Sequence, residues 1–132
     1  MTSDPKDRRK SPRLNATLEA RLEFSVLLRD PESGERGVQH LRACAGHTVN
    51  VSELGLAFVV RAREIEERYL TGSEGSMSIE LDLPNGASIE VEATPVWFEH
   101  HEQGYMVGAR ISRISERDRE LLRELLRELS SS

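Results

Sequence analysis

The sequence predicts a mostly β protein: a six-stranded antiparallel β-barrel with a flexible basic N-terminal arm and a C-terminal amphipathic α-helix. Three observations predict it. Apolar and polar residues alternate with period two from Leu18 to Val26 and again from Ser76 to Leu83, the pattern of strands with one buried face. Pro84-Asn85-Gly86 marks a tight hairpin, and little helical spacing separates the strand-like runs, so neighbouring strands should be antiparallel. After Ser115 the period changes, and Leu121, Leu122, Leu125, Leu126 and Leu129 recur at helical spacing.

In chain order, the first strand places Leu18, Ala20, Leu22, Phe24 and Val26 on one face. Asp30 to Gly37 concentrates turn formers and charges and reads as a connection. A second strand is predicted over about Val38 to Val51, with Gly46 suggesting a bulge or bend inside it. Leu54 to Val60 is a short apolar run suited to a strand buried on both faces. Residues 62–70 could form one or two helical turns before the alternation resumes at Ser76. Beyond the hairpin, Ile89, Val91, Ala93, Pro95 and Trp97 share one strand face, a polar turn comes next at Glu99 to Gly104, and Tyr105 to Ile111 is the last strand. Residues 115–129 form the helix, with Ser115 as N-cap, Glu116 and Asp118 in a variant capping box, and (i, i+3) pairs Glu120–Arg123 and Glu124–Arg127 on the wet side. The leucine stripe is only about two heptads long, which favours covering the mouth of the barrel over pairing with a second copy.

Composition narrows the class. At 132 residues the chain has room for one domain, divided into an arm over residues 1–13 and a barrel with its helix over residues 14–132. No stretch approaches the roughly 18 apolar residues of a spanning helix, and MTSDPKDRRKSPR lacks the apolar run of a secretory signal, so the predicted location is cytoplasmic, with no membrane partner. The single cysteine, Cys44, rules out an internal disulfide. Charge is unevenly placed: Lys6, Arg8, Arg9, Lys10 and Arg13 stand against Asp4 and Asp7 in the arm, while the net charge of the whole chain is −5. A basic arm therefore precedes an acidic body, and such an arm attracts anions.

No catalytic constellation emerges, and the chain is predicted not to be an enzyme. It has no phosphate loop ending in Lys-Ser/Thr, no His-Glu-x-x-His and no Gly-x-Ser-x-Gly elbow. His100 and His101, flanked by Glu99 and Glu102, point to opposite faces if they lie on a strand, so they do not converge on a metal. Cys44 with His40 and His47 lacks an orienting third group, and no cofactor is expected. Two short motifs stand out instead. Arg9-Lys10-Ser11-Pro12-Arg13, with Arg8 beside it, presents guanidinium forks that fit phosphate oxygens and the O6/N7 edge of guanine. Asn50-Val51-Ser52-Glu53-Leu54-Gly55 falls at a turn between strands, where Asn and Ser side chains can point off the barrel and Gly55 allows a tight backbone.

In this order, before a six-stranded barrel, the two motifs resemble those of the PilZ domain, the bacterial receptor module for cyclic di-GMP. The resemblance spans about residues 8 to 128. It continues through Gly55-Leu56-Ala57-Phe58, the strand from Gly75 to Pro84, Val96-Trp97, the strand from Tyr105 to Ile111 and the terminal helix. Two features depart from the family's commoner form: a longer connection over about residues 29 to 41, and Asn50 where Asp is more frequent. Asn lies within the pattern but lacks the charge-assisted strength of a carboxylate.

The resemblance implies a stand-alone receptor and adaptor with cyclic di-GMP and a downstream effector protein as partners. It implies that Arg9 and Arg13 clamp phosphates and the guanine Hoogsteen edge, with Arg8 adding charge or a stacking plane. It further implies that Asn50 and Ser52 hydrogen-bond a guanine laid on the barrel and that Gly55 keeps the turn tight. Trp97 would wall the ligand, although an indole at the end of a strand is equally at home in a barrel core. The arm, repelled by its own charge when free, would order across the barrel on binding the two phosphates. Two alternatives remain at this level: a related interaction module that binds no ligand, and a basic-armed nucleic-acid binder. The acidic body and scarcity of aromatic residues weigh against the second.

Overall fold

A computed structural model describes residues 13–29, 36–61 and 75–131. The arm up to Pro12, the centre of the predicted connection and the predicted helical turns at 62–70 lie outside the described residues. In chain order the elements are β1 (Leu14–Asn15), β2 (Glu19–Arg29), β3 (Arg36–Val51), β4 (Gly55–Val60), β5 (Gly75–Asp82), β6 (Ser88–His101), β7 (Gly104–Ile114) and α1 (Glu116–Ser131). All pairings are antiparallel. The sheet runs β3-β2-β5-β6-β7-β4, and β4 returns to pair with β3, which closes a six-stranded barrel. The seventh strand, β1, is a two-residue addition at the end of β3, with Leu14 opposite Val51 and Asn15 opposite Asn50.

The period-two pattern sorts the side chains. Leu22 and Phe24 of β2, Met77, Ile79 and Leu81 of β5, Ile89 and Val91 of β6, and Leu56, Phe58 and Val60 of β4 fill the interior. On the outer wall Arg21 bridges Glu80 and Asp82 across β2 and β5, and its hydrogen bonds hold the Asp82 carboxyl below the usual carboxylate range. Every residue of β4 is buried, as its apolar run predicts, so Ala57 and Val59 are covered on the outer side as well.

Several elements are longer than expected: β2 runs to Arg29 and β3 begins at Arg36, so much of the stretch over residues 29 to 41 read as a connection is paired strand, and β7 runs on to Ile114. The last hairpin is longer: β6 continues through His101, so Glu99 to His101 are strand and the turn contracts to Glu102 and Gln103. There His100 packs on Tyr105 with ring centroids 5.1 Å apart, and the Gln103 N–H donates to His101 Nδ1 at 3.2 Å. The helix starts at Glu116 and runs two residues past Leu129. Ser115 caps it, its Oγ accepting the Asp118 N–H at 3.2 Å. The Asp118 carboxylate does not turn back to complete a capping box. It is buried and accepts the Glu90 N–H at 3.0 Å, tying the first turn of α1 to β6. Leu122 and Leu125 then join the barrel core, so the stripe covers one end of the barrel.

Bulges interrupt the alternation where side chains change direction. Gly46 is not the bulge; its register is unbroken between Ala20 and Val60. Its role is close approach, since a Cβ there would lie 2.2 Å from the Val59 carbonyl oxygen. The register against β4 shifts instead between Thr48, opposite Phe58, and Asn50, opposite Ala57. Thr48 is fully buried at this point. Its hydroxyl accepts the Leu18 N–H at 2.8 Å and donates to the Ala16 carbonyl at 2.6 Å, bridging the gap between β1 and β2.

A candidate ligand platform on the outer wall

Without the bulge, Asn50 would join Gly46 and Thr48 in facing the barrel interior. The extra residue, Val49, reverses the parity: Val51 enters the core opposite Leu56, and Asn50 stands on the outer wall opposite Ala57. A second bulge does the same to Trp97. The shared face read from Ile89 to Pro95 would carry Trp97 inward, but the register shifts between Pro95, opposite Ala109, and Trp97, opposite Gly108. Trp97 is therefore on the outside, 38% exposed, which removes it from the core. Its indole lies over the backbone of Gly108, where a Cβ would come within 2.1 Å of Nε1.

The register joins these positions into one row. Asn50 on β3 faces Ala57 on β4, Ala57 faces Gly108 on β7, and Gly108 faces Trp97 on β6. Three strand spacings of about 4.8 Å separate the ends, about 14 Å in all. Between them stand only Ala57 and Gly108, both buried and the glycine lying under the indole, so no large side chain of the row itself separates the amide at one end from the indole at the other.

The turn after Asn50 is held from within. Ser52 is buried. Its N–H donates to the Gly55 carbonyl at 2.8 Å, its Oγ donates to the same oxygen at 3.0 Å, and Oγ accepts the Gly55 N–H, also at 3.0 Å. The hydroxyl thus closes the turn. Gly55 is required by space, because a Cβ there would sit 2.6 Å from the Ala109 carbonyl oxygen of β7. Glu53 pairs with Arg123 of α1, which also binds Glu120 at 2.9 Å, so helix and turn are joined.

Among the described residues, Asn50 Oδ1 is the one buried side-chain oxygen or nitrogen with no hydrogen-bond partner. A buried acceptor left empty is a standing cost that a donor would relieve. Arg13 lies close by in the chain pairing: it and Ser52 are each one residue beyond the Leu14–Val51 pair. Arg13 is half-buried, and Arg8 and Arg9 lie outside the described residues. The sequence pattern lets Asn50 and Ser52 point off the barrel at a turn, but it does not reveal the two bulges that turn Asn50 and Trp97 outward. One residue without a partner in the alternation, Val49 or Val96, is their only trace.

The PilZ domain family model matches residues 7–128. The chain belongs to the PilZ domain family. Solved structures agree on the fold of this PilZ domain. The PilZ domain with c-di-GMP of YcgR from Escherichia coli aligns with a TM-score of 0.63 at 12% identity, over 95% of this chain and 93% of that one. The inhibitor of motility MotI/DgrA from Bacillus subtilis aligns with a TM-score of 0.62 at 18% identity, over 95% of this chain and 50% of that one. The PilZ domain here thus spans about half the length of MotI. Comparison with curated protein sequences finds no match.

Replacing Asn50 with alanine in this PilZ domain removes the orphan acceptor, so the thermal midpoint of the free protein should hold or rise by a few degrees, in contrast to the loss usual for a partly buried polar residue. Thermal unfolding monitored by circular dichroism checks the sign.

Proposed function

We propose that this PilZ domain is a cyclic di-GMP receptor that works as an adaptor. The ligand lies on the outer wall across β3, β4, β7 and β6, with Asn50 at one end and Trp97 at the other. What carries this reading is the paired bulges, which bring an unpartnered amide oxygen and a half-exposed indole onto one row. Guanine matches both: its N1–H and N2–H groups supply the donors that Asn50 Oδ1 lacks, met as the buried amide turns toward the ligand, and its flat face suits the indole. Ser52 and Gly55 act by shaping the turn that holds Asn50. Arg8, Arg9 and Arg13 bring the arm over the two phosphates, where each charge-assisted hydrogen bond contributes about 1.5–3 kcal/mol. The YcgR PilZ domain, of the same fold, has a structure with c-di-GMP, which supports the ligand class. The output is the surface formed by arm and barrel together, read by an effector protein in the cytoplasm; the reading includes no catalytic step and no nucleic-acid or membrane partner.

Calorimetric titration with cyclic di-GMP, and with cyclic di-AMP and GTP as competitors for the same chemistry, tests the proposal. The expected result is saturable binding with a Kd of about 0.1–10 μM for cyclic di-GMP and markedly weaker binding of the other two. No heat at about 100 μM cyclic di-GMP would overturn it and leave a barrel that acts through protein contacts alone.

A further inference from the structure

One cation beside the platform belongs to neither motif. Arg110 on β7 faces Gly55 on β4 and Thr94 on β6, two residues along the same outer face from Gly108, the glycine beneath the indole. It is exposed. Among the arginines on or flanking the strands whose side chains are described, Arg21 is paired with Glu80 and Asp82, Arg61 with Glu19, and Arg113 with Glu92. Arg13 and Arg110 make no ion pair or hydrogen bond among the described residues. These two unpaired guanidinium groups flank the Asn50–Gly55 turn, Arg13 where β3 ends and Arg110 beside the start of β4. The carboxylate in the turn, Glu53, is engaged by Arg123 of the helix and pairs with neither of these two arginines.

We propose that Arg110 is a specificity-determining residue for the bound dinucleotide, reading the O6/N7 edge of the guanine that rests on Trp97. The inference rests on the receptor reading above and adds a residue to it. Cyclic di-GMP carries two identical guanines. Asn50 meets one base at its end of the row, and Arg110 is the unpaired cation beside the Trp97 end. A guanidinium presents two parallel N–H donors, which match the paired acceptors of guanine; adenine offers an acceptor beside an amino donor, which the same fork cannot satisfy. From Gly108, two residues along a strand is about 6.8 Å, within reach of an extended arginine whose head meets a base lying over the indole.

The test compares the wild-type chain with Arg110→Ala and Arg110→Lys, titrating each with cyclic di-GMP and cyclic di-AMP. The side chain is exposed and unpaired, so both variants should keep the thermal midpoint of the free protein within about 2 °C, which excludes misfolding as the cause of any loss. Arg110→Ala is expected to weaken cyclic di-GMP binding by roughly 10- to 100-fold while cyclic di-AMP changes little, narrowing the selectivity. Arg110→Lys keeps the charge without the fork and should recover little of that selectivity. Full recovery by lysine, or equal loss for both nucleotides, would overturn the assignment in favour of simple charge attraction. Unchanged affinity in Arg110→Ala would overturn any role for the residue while the receptor reading stands. Failure of the wild-type chain to bind cyclic di-GMP would overturn both.

Discussion

Replacing Gly46 by alanine should lower the thermal midpoint by about 10 °C, equivalent to about 3 kcal/mol for a chain of this size. Gly46 sits between Ala20 on β2 and Val60 on β4, at the point where β3 passes from one neighbour to the other. A methyl group there would meet the Val59 carbonyl oxygen at 2.2 Å and a Leu22 methyl at 3.1 Å. The leucine can turn aside. The carbonyl is part of the backbone of β4, so relief requires β4 to move away from β3, and the pairing that would open is the one that closes the barrel. Gly86→Ala is the informative control. Gly86 has a φ of +90° with nothing within 4 Å of a new Cβ, so alanine there suffers only backbone strain, about 1–2 kcal/mol. Scanning calorimetry on both variants should find Gly46→Ala the less stable by several degrees. Equal midpoints would mean that the β3–β4 seam is slack.

The contrast between those two glycines also marks what could be read from the chain. Gly86 comes directly after Pro84-Asn85, and its turn is legible because its determinants are adjacent in sequence: the Gly86 N–H donates to the Leu83 carbonyl at 3.0 Å, and the Ala87 N–H to Asn85 Oδ1 at 2.9 Å. The strands of strict alternation and the leucine-striped helix are legible for the same reason. Gly46 has its cause on another strand, which no local pattern reveals. The bulges are harder still, since one added residue leaves composition and propensity unchanged and alters only the parity of the residues beyond it. Counting in twos therefore groups Trp97 with Ile89 and Val91, whereas the register at Pro95 turns it outward. The turn at Asn50 to Gly55 is legible as a motif, but its internal division of labour is not. Ser52, a ligand contact by what the family resemblance implies, has its hydroxyl hydrogen-bonded within the turn, and the orphan oxygen belongs to Asn50. Asp118 and Arg123 act across 28 and 70 residues of chain, distances at which sequence periodicity carries no information.

Arg13→Ala should weaken cyclic di-GMP binding by about 100-fold or more while leaving the thermal midpoint of the free protein within about 2 °C. The two halves of this expectation come from one observation. Arg13 forms no side-chain ion pair or hydrogen bond among the described residues, so its removal takes away no polar contact and only the packing of a half-buried stem. The adjacent Leu14 supplies the backbone pairing to Val51, and alanine at position 13 leaves that intact. The same guanidinium stands next to the turn that carries Asn50, where it would donate two parallel hydrogen bonds to a phosphate or a guanine edge. Losing a bidentate, charge-assisted contact costs about 3 kcal/mol, which is the 100-fold. Lysine at the same position should recover a small part, since it restores the charge but not the planar fork. The loss should also shrink as salt is raised, because the part of the interaction carried by long-range attraction is screened in wild type and absent in the variant. Calorimetry at two salt concentrations, with the melting curve of each free protein alongside, decides the matter. A variant that binds normally would remove the arm from the ligand site, and one that melts several degrees lower would make Arg13 part of the architecture of the barrel.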